Sequence, residues 1–221
     1  MFSFRNFRVV PVVLALLFAA AGFAQQRIKV ACVGNSITAG YGVKKGEDYP
    51  AQLQQLLGTG YEVSNYGVSS RTLLSKGDYP YIKEKKYADA LASNPDIVII
   101  KLGTNDSKPQ NWQYKNEFVA DYIKLVKSFQ QLPSKPRIFI CYPLPVFKEV
   151  TGFHPEWKIS NDTVYNKIIP MVKKVRRKTK VNLINLYKPF KDKPDLLYDG
   201  IHPSAKGDSL IAAEVFKAIK D

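Results

Sequence analysis

The chain has 221 residues, 45% of them hydrophobic, which suits one ordinary domain with a sizeable core. No internal repeat, low-complexity tract or linker breaks it up, so a solenoid or a modular array is excluded. Its 33 basic and 19 acidic side chains give a formal charge of +14, a balance that favours anionic partners: nucleic acid, phospholipid head groups or acidic polysaccharide.

Residues 1–24 read as an export signal. Arg5 and Arg8 make a basic start, Val9 to Ala21 is largely apolar, and Gly22-Phe23-Ala24 offers small residues for cleavage. A membrane anchor is the alternative, but the apolar core is shorter than the ~20 residues a span needs. The expected mature chain is a single domain over residues 25–221, working in the periplasm or outside the cell. Without Arg5 and Arg8 its formal charge is 14 − 2 = +12. Export argues against nucleic acid as the partner.

Strand-like and helix-like segments then alternate. Ile28 to Val33 is a short apolar strand, and Tyr49 to Leu57 has helical spacing and stops at Gly58. Tyr61 to Tyr66 is a second strand candidate and Pro80 to Ala92 a helix. Asp96 to Leu102 carries Ile-Val-Ile-Ile, apolar enough for burial on both faces. Trp112 to Leu132 bears a helical stripe of Phe118, Tyr122, Leu125, Val126 and Phe129 before Pro133. Arg137 to Tyr142 is a fourth strand, Asp162 to Thr179 a helix with a kink expected at Pro170, Val181 to Leu186 a fifth strand, and Ser204 to Ile219 a closing helix. The basic run Lys173 to Lys178 falls late in its helix, where cations favour the C-terminus, and reads as a solvated face. This alternation implies an α/β fold with a parallel sheet covered on both faces.

Such sheets place their sites beyond the carboxyl ends of the strands, and polar clusters fall there: Ser36 after the first, Gly67 after the second, Gly103-Thr104-Asn105-Asp106 after the third and Asp199 to His202 beyond the fifth. A serine hydroxyl becomes a nucleophile when a base removes its proton, and a histidine oriented by a carboxylate is the usual base. Ser36, His202 and Asp199 supply those parts. Each also has a plain structural reading: Ser36 as a helix cap, His202 as a loop histidine, Gly67 as a turn glycine, Asn105 as a loop-capping residue. His154, the other histidine, is the competing base or a substrate contact. The glycines at 34, 40 and 42 miss the dinucleotide spacing, and no Gly-Lys-Ser/Thr follows, so a phosphate loop is disfavoured. Asn105-Asp106-Ser107 and Asn161-Asp162-Thr163 match glycosylation sequons, a weak signal.

Gly34-Asn35-Ser36-Ile37-Thr38, Gly67, Gly103-Thr104-Asn105-Asp106 and Asp199-Gly200-Ile201-His202 together resemble the four blocks of the SGNH hydrolases, also called GDSL esterases/lipases. The resemblance spans essentially the whole mature chain. It implies Ser36 as nucleophile and oxyanion donor, Gly67 and Asn105 as the other donors, His202 as base and Asp199 as its orienter, with no metal or cofactor. Asn35 departs from the family's better-known Asp. The implied fold is a flavodoxin-like three-layer α/β/α sandwich with strand order 2-1-3-4-5. That order puts Cys32 and Cys141 two strand spacings apart, about 10 Å, beyond the ~7 Å between Cα atoms that a disulfide tolerates, so two free buried thiols are expected. The chain is similar to small secreted carbohydrate O-acetylesterases of sialate or xylan type. Aromatics near the third and after the fourth strand (Trp112, Tyr114, Phe147, Phe153, Trp157) are candidates to pack on sugar rings or to anchor loops, with Asn35 and His154 as further contacts. A lysophospholipase or thioesterase of the same family and a catalytically silent glycan-binding protein are the rival readings. The natural acyl group, the alcohol and the oligomeric state are left open.

Overall fold

A computed structural model describes residues 26–221, so the expected export segment, residues 1–24, lies outside the described residues. The chain builds a five-stranded parallel sheet in the order β2-β1-β3-β4-β5, as expected. Its strands are β1 (Ile28–Gly34), β2 (Tyr61–Gly67), β3 (Ile97–Lys101), β4 (Arg137–Cys141) and β5 (Asn182–Ile184). The helices are α1 (Ser36–Ala39), α2 (Tyr49–Leu57), α3 (Lys85–Ala92), α4 (Pro109–Trp112), α5 (Phe118–Gln130), α6 (Asn161–Thr163), α7 (Ile169–Thr179), α8 (Tyr187–Phe190) and α9 (Ala205–Lys220).

Alternation along the strands divides the core between two faces. Ala31, Val33, Val98, Ile100, Ile138 and Ile140 meet the buried sides of α3, α5 and α7. Val30, Cys32, Ile97, Ile99, Phe139 and Cys141 meet α2, α8 and α9. Central β3 is buried along its whole length, which explains its unbroken apolar run. Each fully buried Leu, Ile or Phe contributes about 1.5–3 kcal/mol by leaving water. The two thiols are free and buried, on β1 and β4, with β3 between them. Lys173, Lys174, Arg176, Arg177 and Lys178 are exposed on α7 while Val172 and Val175 are buried, so the basic run is a solvated face.

Three helices differ from the sequence expectation, each for a local reason. The segment expected as a helix over Pro80 to Ala92 is a 3-10 turn (Tyr81–Lys83) and then α3, separated by extended Glu84. The long helix expected from Trp112 begins at Phe118, because Tyr114 leaves helical geometry after the short α4. The helix around Pro170 opens into a π turn over Val164–Ile168. A prolyl nitrogen has no proton for the α ladder, and the widened turn just before it absorbs that defect.

Candidate active site

The loop after β1 turns sharply. Asn35, in extended conformation, caps α1 by accepting the Ile37 N–H at 3.2 Å, and Gly40 ends that single turn with φ +82°. Gly34 is required: a Cβ there would overlap Thr38 Oγ1 and come within 2.8 Å of the Lys101 carbonyl oxygen. Ser36 is thereby the first helical residue, not the cap, and its own N–H stands outside the helical ladder. Asn35 is buried as the cap and does not line the cavity, which corrects its expected role as a substrate contact.

Ser36 Oγ lies 2.8 Å from His202 Nε2, and His202 Nδ1 lies 2.6 Å from Asp199 Oδ2. A carboxylate only accepts, so Nδ1 carries the proton and Nε2 is left to receive one from the serine. The other Asp199 oxygen accepts the N–H groups of Ile201 (2.9 Å) and His202 (2.6 Å). Burial alone would raise the Asp199 carboxyl; the hydrogen bonds from the His202 ring and backbone outweigh it and hold the group below its ordinary value. The turn between them depends on Gly200, at φ +78°, where a Cβ would overlap the Phe147 carbonyl oxygen. All three side chains are nearly enclosed, with Ser36 8%, Asp199 2% and His202 5% exposed. Aromatic rings surround the imidazole: Tyr41 at 4.7 Å, Trp157 edge-on at 5.6 Å and Tyr198 at 6.2 Å between centroids.

Ser36 and His202 open onto a cavity of about 160 Å³ whose walls also include Tyr41, Ser70, Asn105, Lys108 and Trp157. Asn105 is held there by donating from Nδ2 to the Arg71 carbonyl at 3.1 Å, which leaves its second N–H available. Gly67 is not brought into the cavity. Its N–H donates to Asn65 Oδ1 at 2.9 Å, and its missing side chain lets β2 pack on the Thr38–Ala39 backbone. Ser69 and Ser70 do reach the cavity from this loop, Ser70 in the left-handed region at φ +68°. Among the described residues, no protein acceptor takes the N–H of Ser36 or Ser70.

Of the expected aromatics, Trp157 lines the cavity. Trp112 and Tyr114 instead pack on the core beside Phe118, and Phe147 and Phe153 anchor loops. For Trp112 this corrects the expected substrate contact. His154 is exposed, bonds Glu156 through Nδ1 at 2.7 Å and stacks on Trp157 at 4.3 Å, so it supports the cavity wall from behind and is no rival base. The sequon at Asn105 is buried. Ser70, Tyr41 and Lys108 escaped the sequence reading, although two polar serines directly after a strand end were visible as a signal. Among the described residues no cluster of three His, Cys, Asp or Glu could hold a metal ion, and no helix is long and apolar enough to cross a membrane.

A buried polar group underlies the site. Lys101, which pairs with Gly34 across the sheet, and Asp208 of α9 are both enclosed, and Lys101 Nζ and Asp208 Oδ1 have no hydrogen-bond partner among the described residues. Burial lowers the Lys101 ammonium to about 8. It raises the Asp208 carboxyl to about 8, with the Asp48 charge adding to the rise and Lys101 opposing it.

Comparison with known proteins bears on the family and the fold. The chain is 41% identical over 216 residues to an acetylxylan esterase from Xylanibacter ruminicola, a match that covers 89% of this chain but only 44% of that protein. Among solved structures, an acetyl xylan esterase superposes with a TM-score of 0.67 at 22% identity, covering 87% of this chain and 100% of the other. A carbohydrate acetylesterase from Sinorhizobium meliloti superposes with a TM-score of 0.68, also at 22% identity, over 88% and 99%. At that identity these two likenesses speak for the fold. The model of the GDSL-like lipase/acylhydrolase family matches residues 32–210, and the chain belongs to that family.

Proposed function

We propose that the protein is an exported serine esterase that removes short acyl groups, chiefly acetyl, from carbohydrate. The observation that carries this reading is the unbroken relay from Ser36 Oγ through His202 to Asp199, at 2.8 and 2.6 Å. Ser36 attacks the ester carbonyl carbon as its proton passes to His202 Nε2. The negative oxygen so formed accepts from the Ser36 and Ser70 N–H groups and the free N–H of Asn105 Nδ2. Collapse expels the alcohol, which takes the proton from His202 and leaves Ser36 acylated. Water then repeats the sequence in reverse, giving up a proton to His202, and releases the acid.

Ser36 and His202 share their cavity wall with Trp157 and Tyr41, aromatic side chains of the kind that pack on sugar rings. The acetylesterase names among the relatives point the same way, and the export-signal pattern of residues 1–24 supports the proposed location. A panel of p-nitrophenyl esters from acetate to palmitate tests the reading, with Ser36→Ala as control. Acetate should be preferred, and the variant should lose on the order of 10⁴-fold or more in kcat because the covalent route closes. Comparable turnover of palmitate would instead favour the lysophospholipase or thioesterase reading. Hydrolysis that survives in Ser36→Ala would refute the relay.

A further inference from the structure

We propose that Arg71 is a positioning residue of the oxyanion site, whose guanidinium holds the 69–70 peptide unit with its N–H turned to the cavity. The proposal deepens the esterase reading and rests on its use of the Ser70 N–H as an oxyanion donor. Arg71 Nη1 donates to the Ser69 carbonyl at 2.8 Å, and among the described residues no backbone N–H takes that oxygen. Ser69 and Ser70 line the cavity, whereas Arg71 is not part of its wall. The carbonyl is therefore drawn towards a group outside the wall. In a planar trans peptide the N–H points the opposite way from the C=O, which aims the Ser70 N–H inwards. A cation on the carbonyl also polarises the amide and makes that N–H a stronger donor.

This orientation runs against the preference of the backbone. Ser70 sits at φ +68°, a region that L side chains rarely adopt. Turning the 69–70 peptide over by about half a turn would return Ser70 to an ordinary negative φ. It would also point the Ser69 carbonyl at the developing negative charge, which would then meet a lone pair in place of a donor. Arg71 opposes that flip, and its guanidinium is itself fixed. Nε donates to Glu84 at 2.7 Å, and the guanidinium carbon stands 5.4 Å from the Tyr79 ring centre. Thr72, next in the chain, ties this loop to the segment that carries both partners. It donates to the Tyr79 carbonyl and accepts from the Tyr81 N–H, each at 2.9 Å. The Arg71 carbonyl meanwhile accepts from Asn105 Nδ2 at 3.1 Å. One residue thus holds two oxyanion donors, the Ser70 amide through its side chain and Asn105 through its backbone.

Crystal structures and p-nitrophenyl acetate kinetics of Arg71→Met, alone and combined with Ser70→Gly, test the proposal. In Arg71→Met the 69–70 peptide should turn over, and kcat should fall on the order of 10²-fold, the loss of one donor, with KM little changed. Glycine tolerates the left-handed region, so in the Ser70→Gly background the same substitution should cost several-fold less. A merely structural role would cost the same in both backgrounds. Arg71→Lys keeps the charge but cannot fork to Ser69 and Glu84 together, and its kcat should lie between wild type and Arg71→Met. Where Arg71→Met does not fold, Arg71→Lys carries the same comparison of backgrounds. A peptide that keeps its orientation in Arg71→Met, an unchanged kcat, or an equal loss in both backgrounds overturns the proposal. Because the structures read the peptide without turnover, Ser36→Ala separates this proposal from the esterase reading. A flipped peptide in a protein whose hydrolysis survives Ser36→Ala keeps Arg71 as the holder and removes the relay. An unmoved peptide in a protein silenced by Ser36→Ala does the reverse.

Discussion

The Asn105 side chain donates to the Arg71 carbonyl at 3.1 Å, and this bond stitches the loop after β3 to the loop after β2. Asp106 adds two more stitches by accepting the N–H groups of Leu73 at 3.0 Å and Leu74 at 2.8 Å. Two of the three proposed donors, Ser70 and Asn105, therefore sit on mutually braced turns, which is the preorganisation that oxyanion stabilisation needs.

Asn105 and Asp106 should separate by phenotype. Asn105→Ala removes a donor aimed at the developing charge, and kcat should fall by about 10²–10³ with little change in KM. Asp106→Ala removes only the brace. It strands two buried N–H groups at a cost of about 1–3 kcal/mol each, read as a lower midpoint of urea unfolding. An Asn105→Ala enzyme with undiminished kcat would remove Asn105 from the oxyanion site.

Gly67 and Ser70 make a second pair. A Cβ at Gly67 would overlap the Ala39 nitrogen and lie 2.6 Å from the Thr38 carbonyl carbon, backbone atoms that cannot step aside. Gly67→Ala should lower stability by about 1–3 kcal/mol or more, through packing. Ser70→Gly keeps the N–H and relaxes a left-handed backbone at φ +68°. Its loss in kcat should be much smaller than that of Asn105→Ala, and its thermal midpoint unchanged or higher. A loss in Ser70→Gly equal to that of Asn105→Ala would assign the donor role to the Ser70 hydroxyl instead of the amide.

The contrast between these two residues marks how far the sequence could be read. Strand order, both core faces and the gathering of Ser36, His202 and Asp199 at one end of the sheet were legible, because alternation and turn chemistry are local signals and all three residues follow strands on the carboxyl side of the sheet. Gly67 was legible as a glycine but misread as a donor. Its amide is taken by Asn65, whose side chain also donates to the Thr38 carbonyl, and no spacing rule reports a side chain that folds back across two loops. The helix boundaries around Tyr114 and Glu84 were lost for a related reason. Their apolar stripes continue through the break, and only backbone angles at single residues interrupt the helix. Trp112 was expected to pack on sugar because it lies near the third strand, whereas its ring meets Phe118 on the core.

The enclosed Lys101 and Asp208 should write themselves into the pH dependence of stability. Asp208 ordinarily titrates at 3.8 and is raised by burial to about 8. The folded state therefore holds its proton where the unfolded chain has lost it, so this contribution is complete below pH 3.8 and disappears as pH rises through about 8. Lys101 is lowered from 10.5 to about 8, so its folded form sheds a proton earlier, and its contribution grows as pH climbs from about 8 towards 10.5. The two slopes have opposite sign and meet near pH 8, where urea unfolding should find their joint minimum. Replacing Asp208 by Asn removes the falling limb, so the free-energy difference between wild type and Asp208→Asn should change between pH 5 and 8 by up to about 1.4 kcal/mol per pH unit, against the wild type. Lys101→Met should remove the rising limb above pH 8 and leave the acid side falling. Parallel stability curves for wild type and Asp208→Asn across pH 5–8 would mean that the carboxyl ionises normally, and the enclosed pair would then have to be bridged by solvent.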